Sequence, residues 1–194
     1  MNDTTPKPEN LAAAAKSAGK KGPPPVHLWN PPFCGDLDMR IARDGTWFYL
    51  GTPMGRFELV KLFSSILRKD GDKYFLVTPV EKVGIVVDDA PFVATDFTVS
   101  DRGADQILTF TTHVGDEAQA GPEHPIRVTR DPETGEPSPY IHIRANLEAL
   151  IDRKSFYRLV DLGETAEMDG ESWFGVRSGG VFFPIIPAAE LPES

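Results

Sequence analysis

The chain has 194 residues, of which 40% are hydrophobic and 25% charged, so it can bury one good core or two small ones side by side. Its formal net charge is −9, with +2 on residues 1–25 and −11 on the remainder. So acidic a body repels phosphate backbones and excludes nucleic acid as the expected partner.

In chain order, residues 1–25 are polar, Ala-rich and Pro-rich and are expected to form a flexible tail. Asn10 could cap a short helix over 11–18, and Gly22-Pro23-Pro24-Pro25 makes a stiff linker. The apolar run 11–15 is too short for a secretory signal, no run is long enough to span a bilayer, and the single cysteine allows no internal disulfide. A cytoplasmic location is expected. Residues 27–36 combine Trp29 and Phe33 with Pro31 and Pro32, which suits an irregular segment held by packing. Asp44-Gly45, flanked by 39–42 and 46–50, is a hairpin signal. Leu59, Leu62, Phe63 and Ile66 then fall at i, i+3, i+4 and i+7, which predicts a helix with Glu58, Lys61, Ser65 and Arg68 on its outer face. Asp70-Gly71-Asp72 ends that helix. Apolar runs at 74–78, 83–87, 92–99 and 106–112 read as strands, and 115–125 as a polar loop. Residues 126–130 and 140–144 read as a hairpin, and a second helix over 153–162 carries Phe156, Leu159 and Val160 on one face. Residues 172–177 and 181–186 flank Gly179-Gly180 as a last hairpin, before a frayed tail over 187–194.

Each half therefore reads strand, strand, helix, strand, strand, with Arg153, Phe156, Leu159 and Val160 lying 97 positions after Arg56, Leu59, Leu62 and Phe63. The expected fold is α+β, built of two tandem ββαββ-like repeats of mostly antiparallel sheet with one main helix each. The expected domains are the tail at 1–25, an N-terminal repeat with its lead-in at 26–99, and a C-terminal repeat at 100–194. One α+β domain with two unrelated helices is the alternative.

Several motifs carry a resemblance: His27-x-Trp-x-Pro-Pro-x-Cys-Gly-Asp36, Met39-x-Ile-x-x-Asp-Gly-x-Trp47, Leu-Val-x-Leu-Phe at 59–63, Val77-Thr-Pro-x-Glu-Lys82 and Asp89-Ala-Pro-Phe92. Together they resemble the bacterial "domain of unknown function 1285" family, over residues 27–162. That resemblance implies a duplicated core whose C-terminal half is superficially pleckstrin-homology-like. It also implies a role in signalling, with a nucleotide-like ligand between the halves. Thr112-His113 stands where the family pattern has Thr-Asn before Val114-Gly115-Asp116.

Three groups of residues could carry chemistry. Gly51-Thr52-Pro-Met-Gly55-Arg56 opens the main helix, where free backbone N–H groups favour an anion, but it lacks the Gly-Lys-Ser/Thr of a nucleotide-hydrolysing loop. Trp47 and Tyr49 share one strand face, and Tyr140, His142 and Arg144 share another; aromatic rings beside His and Arg suit a base and a phosphate. The plainer reading has Trp47, Tyr49 and Tyr140 filling the core. Cys34 reads as a structural cysteine, since Asp36 and Asp38 lie nearer than Arg40 and Arg43 and a thiolate needs positive neighbours. His27, His113, His124 and His142 show no zinc-module spacing, and there is no Gly-x-Ser-x-Gly elbow, so no metal, cofactor or catalytic residue is expected.

The expectation is a cytoplasmic sensor or adaptor that binds a small nucleotide-like anion through Trp47, Thr52, Gly55, Arg56, Tyr140, His142 and Arg144. It has no nucleic-acid or membrane partner, and a protein partner is compatible with it. The rivals are an enzyme acting on a nucleotide-like metabolite and a protein-interaction scaffold.

Overall fold

A computed structural model describes residues 5–193. The chain divides into two compact units, Met1–Pro91 and Phe92–Ser194, each with its own sheet.

The first unit opens on α1 (Pro8–Ala18), which starts with a proline at its first helical position, behind Lys7, so Asn10 lies inside the helix and not at its cap. The flexible tail expected over 1–25 is corrected here, apart from residues 1–4, which lie outside the described residues. Leu11 and Ala15, one turn apart, are fully buried, and α1 packs on α2 (Phe57–Ser65). The sheet comprises β1 (Phe33–Ile41), β2 (Trp47–Tyr49), β3 (Thr52–Pro53), β4 (Leu67–Asp70), β5 (Lys73–Val77) and β6 (Lys82–Val87), in the order β3-β2-β1-β6-β5-β4. Its central pair, β1 and β6, is parallel, and every other pair is antiparallel.

The Asp44-Gly45 hairpin forms as expected: Thr46 N–H donates to Asp44 Oδ1 at 2.9 Å, and Ile41 pairs with Trp47. The main helix is shorter than its periodicity suggests. Ser64 and Ser65 turn their hydroxyls back onto the carbonyls of Lys61 and Leu62, and Ile66 N–H bonds Phe63 O at 3.1 Å, tightening the last turn. The chain then enters β4, and Gly71-Asp72 is the turn of a second hairpin, between the paired residues Asp70 and Lys73. Val60, Phe63 and Ile66 are buried, whereas Leu59 and Leu62 are only half-buried.

Arg68 is therefore not on a solvent-facing helix surface. It sits on β4, donates to Val26 O (2.9 Å) and Trp29 O (2.7 Å), and pairs with Asp70 at 2.9 Å, clamping the lead-in segment to the sheet. Arg68→Ala is expected to destabilise the first unit by about 1.5–3 kcal/mol, because two backbone carbonyls lose a charged donor; urea unfolding measures it. The Arg68 guanidinium, helped by Lys82, holds the Asp70 carboxyl below its ordinary range, against the burial that opposes it. A depressed folded-state value means that this contribution is present above the unfolded-state pKa and is lost as pH falls through the folded one. Asp70→Asn should accordingly flatten the acid side of the melting-temperature profile.

The second unit contains β7 (Phe92–Ser100), β8 (Ile107–Thr112), β9 (Glu117–Gln119), β10 (Ile126–Arg130), β11 (Pro137–Arg144) and β12 (Leu147–Ile151), in the order β10-β11-β12-β7-β8-β9. Then come α3 (Arg153–Val160) and a three-stranded antiparallel sheet of β13 (Glu164–Met168), β14 (Glu171–Ser178) and β15 (Val181–Pro187). Asp152 caps α3 by accepting from Ser155 N–H at 2.8 Å, and Leu159 is fully buried. The unit begins at Phe92, not after residue 99, because β7 is itself a central strand bonded to both β8 and β12. A short 3-10 turn at Ala188–Glu190, tied by an Arg130–Glu190 ion pair, replaces the start of the expected frayed tail, and Ser194 lies outside the described residues.

The two sheets have the same strand order. Counted within each unit, both run 3-2-1-6-5-4 with the first and last strands paired in parallel at the centre. Two tandem, mostly antiparallel units with helices are thus present, but the ββαββ correspondence of the helices is corrected. Helix α2 links β3 to β4, at opposite edges of its sheet, whereas α3 follows β12. The repeat relates β1–β6 to β7–β12. Amphipathic periodicity lines up any two surface helices, so it carries no information on their place in a sheet.

Candidate functional site

The seven residues read from the sequence fall into two sets. Trp47, Thr52, Gly55 and Arg56 belong to the first unit, and Tyr140, His142 and Arg144 to the second. Trp47 is only 1% exposed and lies against Phe63, ring centroids 6.3 Å apart, which is a core position. Gly51-Thr52 is not a phosphate loop wrapped around the helix start. Leu50 and Gly51 both adopt positive φ and make a two-residue turn that pairs Thr52 with Tyr49. Arg56 is exposed at the N-cap of α2, and a Cβ on Gly55 would meet open space.

The β11 residues are closely engaged. Arg127 lies over the Tyr140 ring at 4.4 Å and bonds Glu148 at 2.7 Å, leaving Tyr140 buried. Arg144 pairs with Asp116 at 2.9 Å and lies over the Phe92 ring at 4.9 Å. A bulge between His142 and Arg144 follows where β12 leaves register. His142 turns Nε2 to the Ala145 carbonyl and Nδ1 to His124 Nδ1, 3.3 Å away; His124 Nδ1 is also 3.0 Å from His142 O.

His124 leads from β11 into a cavity of about 700 Å³, lined also by Thr109, Glu117, Gln119, Glu123 and Gly179. Its rigidity comes from the junction of the two sheets within the unit. Ser178, fully buried, donates to Ala120 O at 2.7 Å and accepts from Leu108 N–H at 2.8 Å. Gln106 donates to Arg177 O at 2.8 Å and its carbonyl accepts from Gly179 N–H at 3.0 Å. Gly179 has φ +57°, and a Cβ there would lie 2.9 Å from Ala120 O, so only glycine lets the β14–β15 turn seat against this wall. Residues 115–125, expected as a polar loop, thus include strand β9 and most of the cavity rim. The run at 106–112 was the available signal for the β8 side; three residues are too short a run to announce β9.

A second cavity, of about 710 Å³, lies in the first unit between Thr5, Asn10, Phe33, Cys34 and Glu81. Cys34 is half-buried and donates to Pro32 O at 3.3 Å. Burial pushes the Glu81 carboxyl up. Among the described residues no group of three or more His, Cys, Asp or Glu is placed to hold a metal ion, and no helix is long and apolar enough to cross a membrane.

Comparison with known proteins matches residues 24–90 to the N-terminal domain and residues 91–185 to the C-terminal domain of the DUF1285 family, described as domains of unknown function. A crystal structure of a DUF1285 family protein from Silicibacter pomeroyi DSS-3 is similar at 64% identity and a TM-score of 0.84, over 93% of this chain and 96% of that one. A second, from Shewanella baltica OS155, is similar at 30% identity and a TM-score of 0.50, over 64% of this chain and 91% of that one. No curated protein matches. With the two family domains matched over residues 24–90 and 91–185 and a solved relative aligned over nearly the whole chain, this protein belongs to the DUF1285 family.

Proposed function

We propose that this protein is a cytoplasmic ligand-binding sensor or adaptor in signalling, not a catalyst, and that it takes a small nucleotide-like ligand. The observation that carries the reading is the cavity beside His124. Its volume of about 700 Å³ suits a small ligand, and Thr109, Glu117, Gln119 and His124 offer side-chain hydrogen bonds from strands and a braced loop. Of the residues read from the sequence, His142 joins this site through its contact with His124. Arg144 and Tyr140 support it from the same strand, each stacked in a cation–π pair. The adaptor part of the proposal draws on the second unit's antiparallel sheets and helix, which we take as pleckstrin-homology-like in the broad sense.

The test is a thermal-shift panel of nucleosides and mononucleotides against the wild type and Gln119→Ala. A ligand at 100 times its Kd raises stability by about 2.7 kcal/mol, a readily measured shift. At least one nucleoside should produce it in the wild type and less in Gln119→Ala. A flat panel, or equal shifts in both proteins, rejects the reading.

A further inference from the structure

We infer that the part of the ligand held in the His124 cavity is a hydrogen-bond donor, the amino-bearing edge of a nucleobase, and that phosphate is kept out. This rests on the preceding reading that the cavity is a ligand site, and it assigns the chemistry that the site selects.

The donor inventory comes first. Among the described residues no Lys or Arg lines the cavity. Three backbone N–H groups on its rim are already spent: Ala120 donates to Leu108 O (2.9 Å), Gly121 to His124 O (3.1 Å) and Gly179 to Gln106 O (3.0 Å), while Pro122 has none. A phosphate entering here would meet no cationic side chain among the described residues and would face the carboxylates of Glu117 and Glu123. Its charge would be opposed, and no ion pair would offset its desolvation.

The acceptor side is set by the histidine pair. The Ala145 carbonyl can only accept, so His142 Nε2 carries the proton of that bond. The His142 carbonyl can only accept, so the proton between it and His124 lies on His124 Nδ1. His142 Nδ1, 3.3 Å away, shares that same proton as a second acceptor. A neutral His124 holds one ring proton, and this chain places it on Nδ1, so Nε2 of a ring lining the cavity is left as an acceptor. Together with Glu117 and Glu123, the side chains of the wall therefore present acceptors and, among the described residues, no cation. An exocyclic amino group satisfies it; an oxo group in the same place does not.

Adenosine and inosine share the purine skeleton and ribose and differ only at this edge, 6-amino with an acceptor N1 against 6-oxo with an N1–H, so they compare a donor at the exocyclic position with one on the ring. Calorimetric titration of the full chain is carried out with adenosine, inosine, AMP and agmatine, the last supplying amine-type donors without a nucleobase. Adenosine should bind about tenfold tighter than inosine, with AMP no tighter than adenosine. In Glu123→Gln, at an exposed position, the penalty on AMP relative to adenosine should shrink. Inosine binding as tightly as adenosine, or AMP binding tighter, overturns the inference while leaving the ligand reading in place. Agmatine binding without either nucleoside keeps the donor rule and overturns the nucleotide-like reading. No binding by any of the four overturns both.

Discussion

Leu11→Ala should lower the unfolding free energy of the first unit by about 2–5 kcal/mol, the cost of emptying a fully buried leucine site in a helix–helix contact. The residue lies in a segment whose composition is polar and whose sequence looks dispensable. Yet Leu11 and Ala15 project from one face of α1 and are completely removed from solvent, and that face lies on α2. Deleting residues 1–21 should cost at least as much, since Leu62, half-buried beside Ala15, Gly19 and Pro24, would then be exposed. Residues 1–21 fall outside the matched family domains, yet α1 packs on α2, which lies within them. Urea titration with a fluorescence readout tests this, the two units being followed separately because they need not unfold together. A truncated chain with the wild-type midpoint would show that α1 is merely resting on α2.

Trp47→Ala should cost about 3–5 kcal/mol, the range for removing a buried aromatic side chain. Trp47 meets Phe63 nearly face to face, with 22° between the ring planes, and both are essentially buried. The core reading makes a second, sharper expectation. Trp47 Nε1 is buried with no hydrogen-bond partner among the described residues, so the indole keeps an unsatisfied donor in the core. Trp47→Phe removes that donor, which by itself relieves about 1–3 kcal/mol and offsets part of the lost volume. It should therefore be far milder than Trp47→Ala. If instead Trp47→Ala keeps the wild-type unfolding midpoint and abolishes nucleoside binding, the tryptophan is a ligand platform and the core assignment fails.

Local chemistry was legible wherever a residue type dictates the backbone. Asp44-Gly45 and Gly179-Gly180 announced hairpins, and the period of Leu59, Phe63 and Ile66 announced α2. The end of α2 was not legible, because Leu62 and Ile66 continue the period while Ser64 and Ser65 bond back to the helix and close it. Strand β4 was lost for the same reason, and with it the role of Arg68. The domain boundary was missed because an apolar run such as 92–99 does not say which neighbour it will pair with.

The sequence by itself determined the composition class, the family, the turns and the main helix, all of which depend on neighbours in the chain. Only the tertiary structure decided that both six-stranded sheets share the order 3-2-1-6-5-4, since the parallel central pairing joins the first and last strands of each sheet. It also decided the site. His124 and His142 are eighteen residues apart and carry no spacing signal; their Nδ1 atoms meet because His142 N–H bonds Pro125 O and draws the loop after β9 alongside β11. Contacts of that kind are set by strand register and by the close approach of Gly179 to Ala120, and neither exists until the sheets have packed.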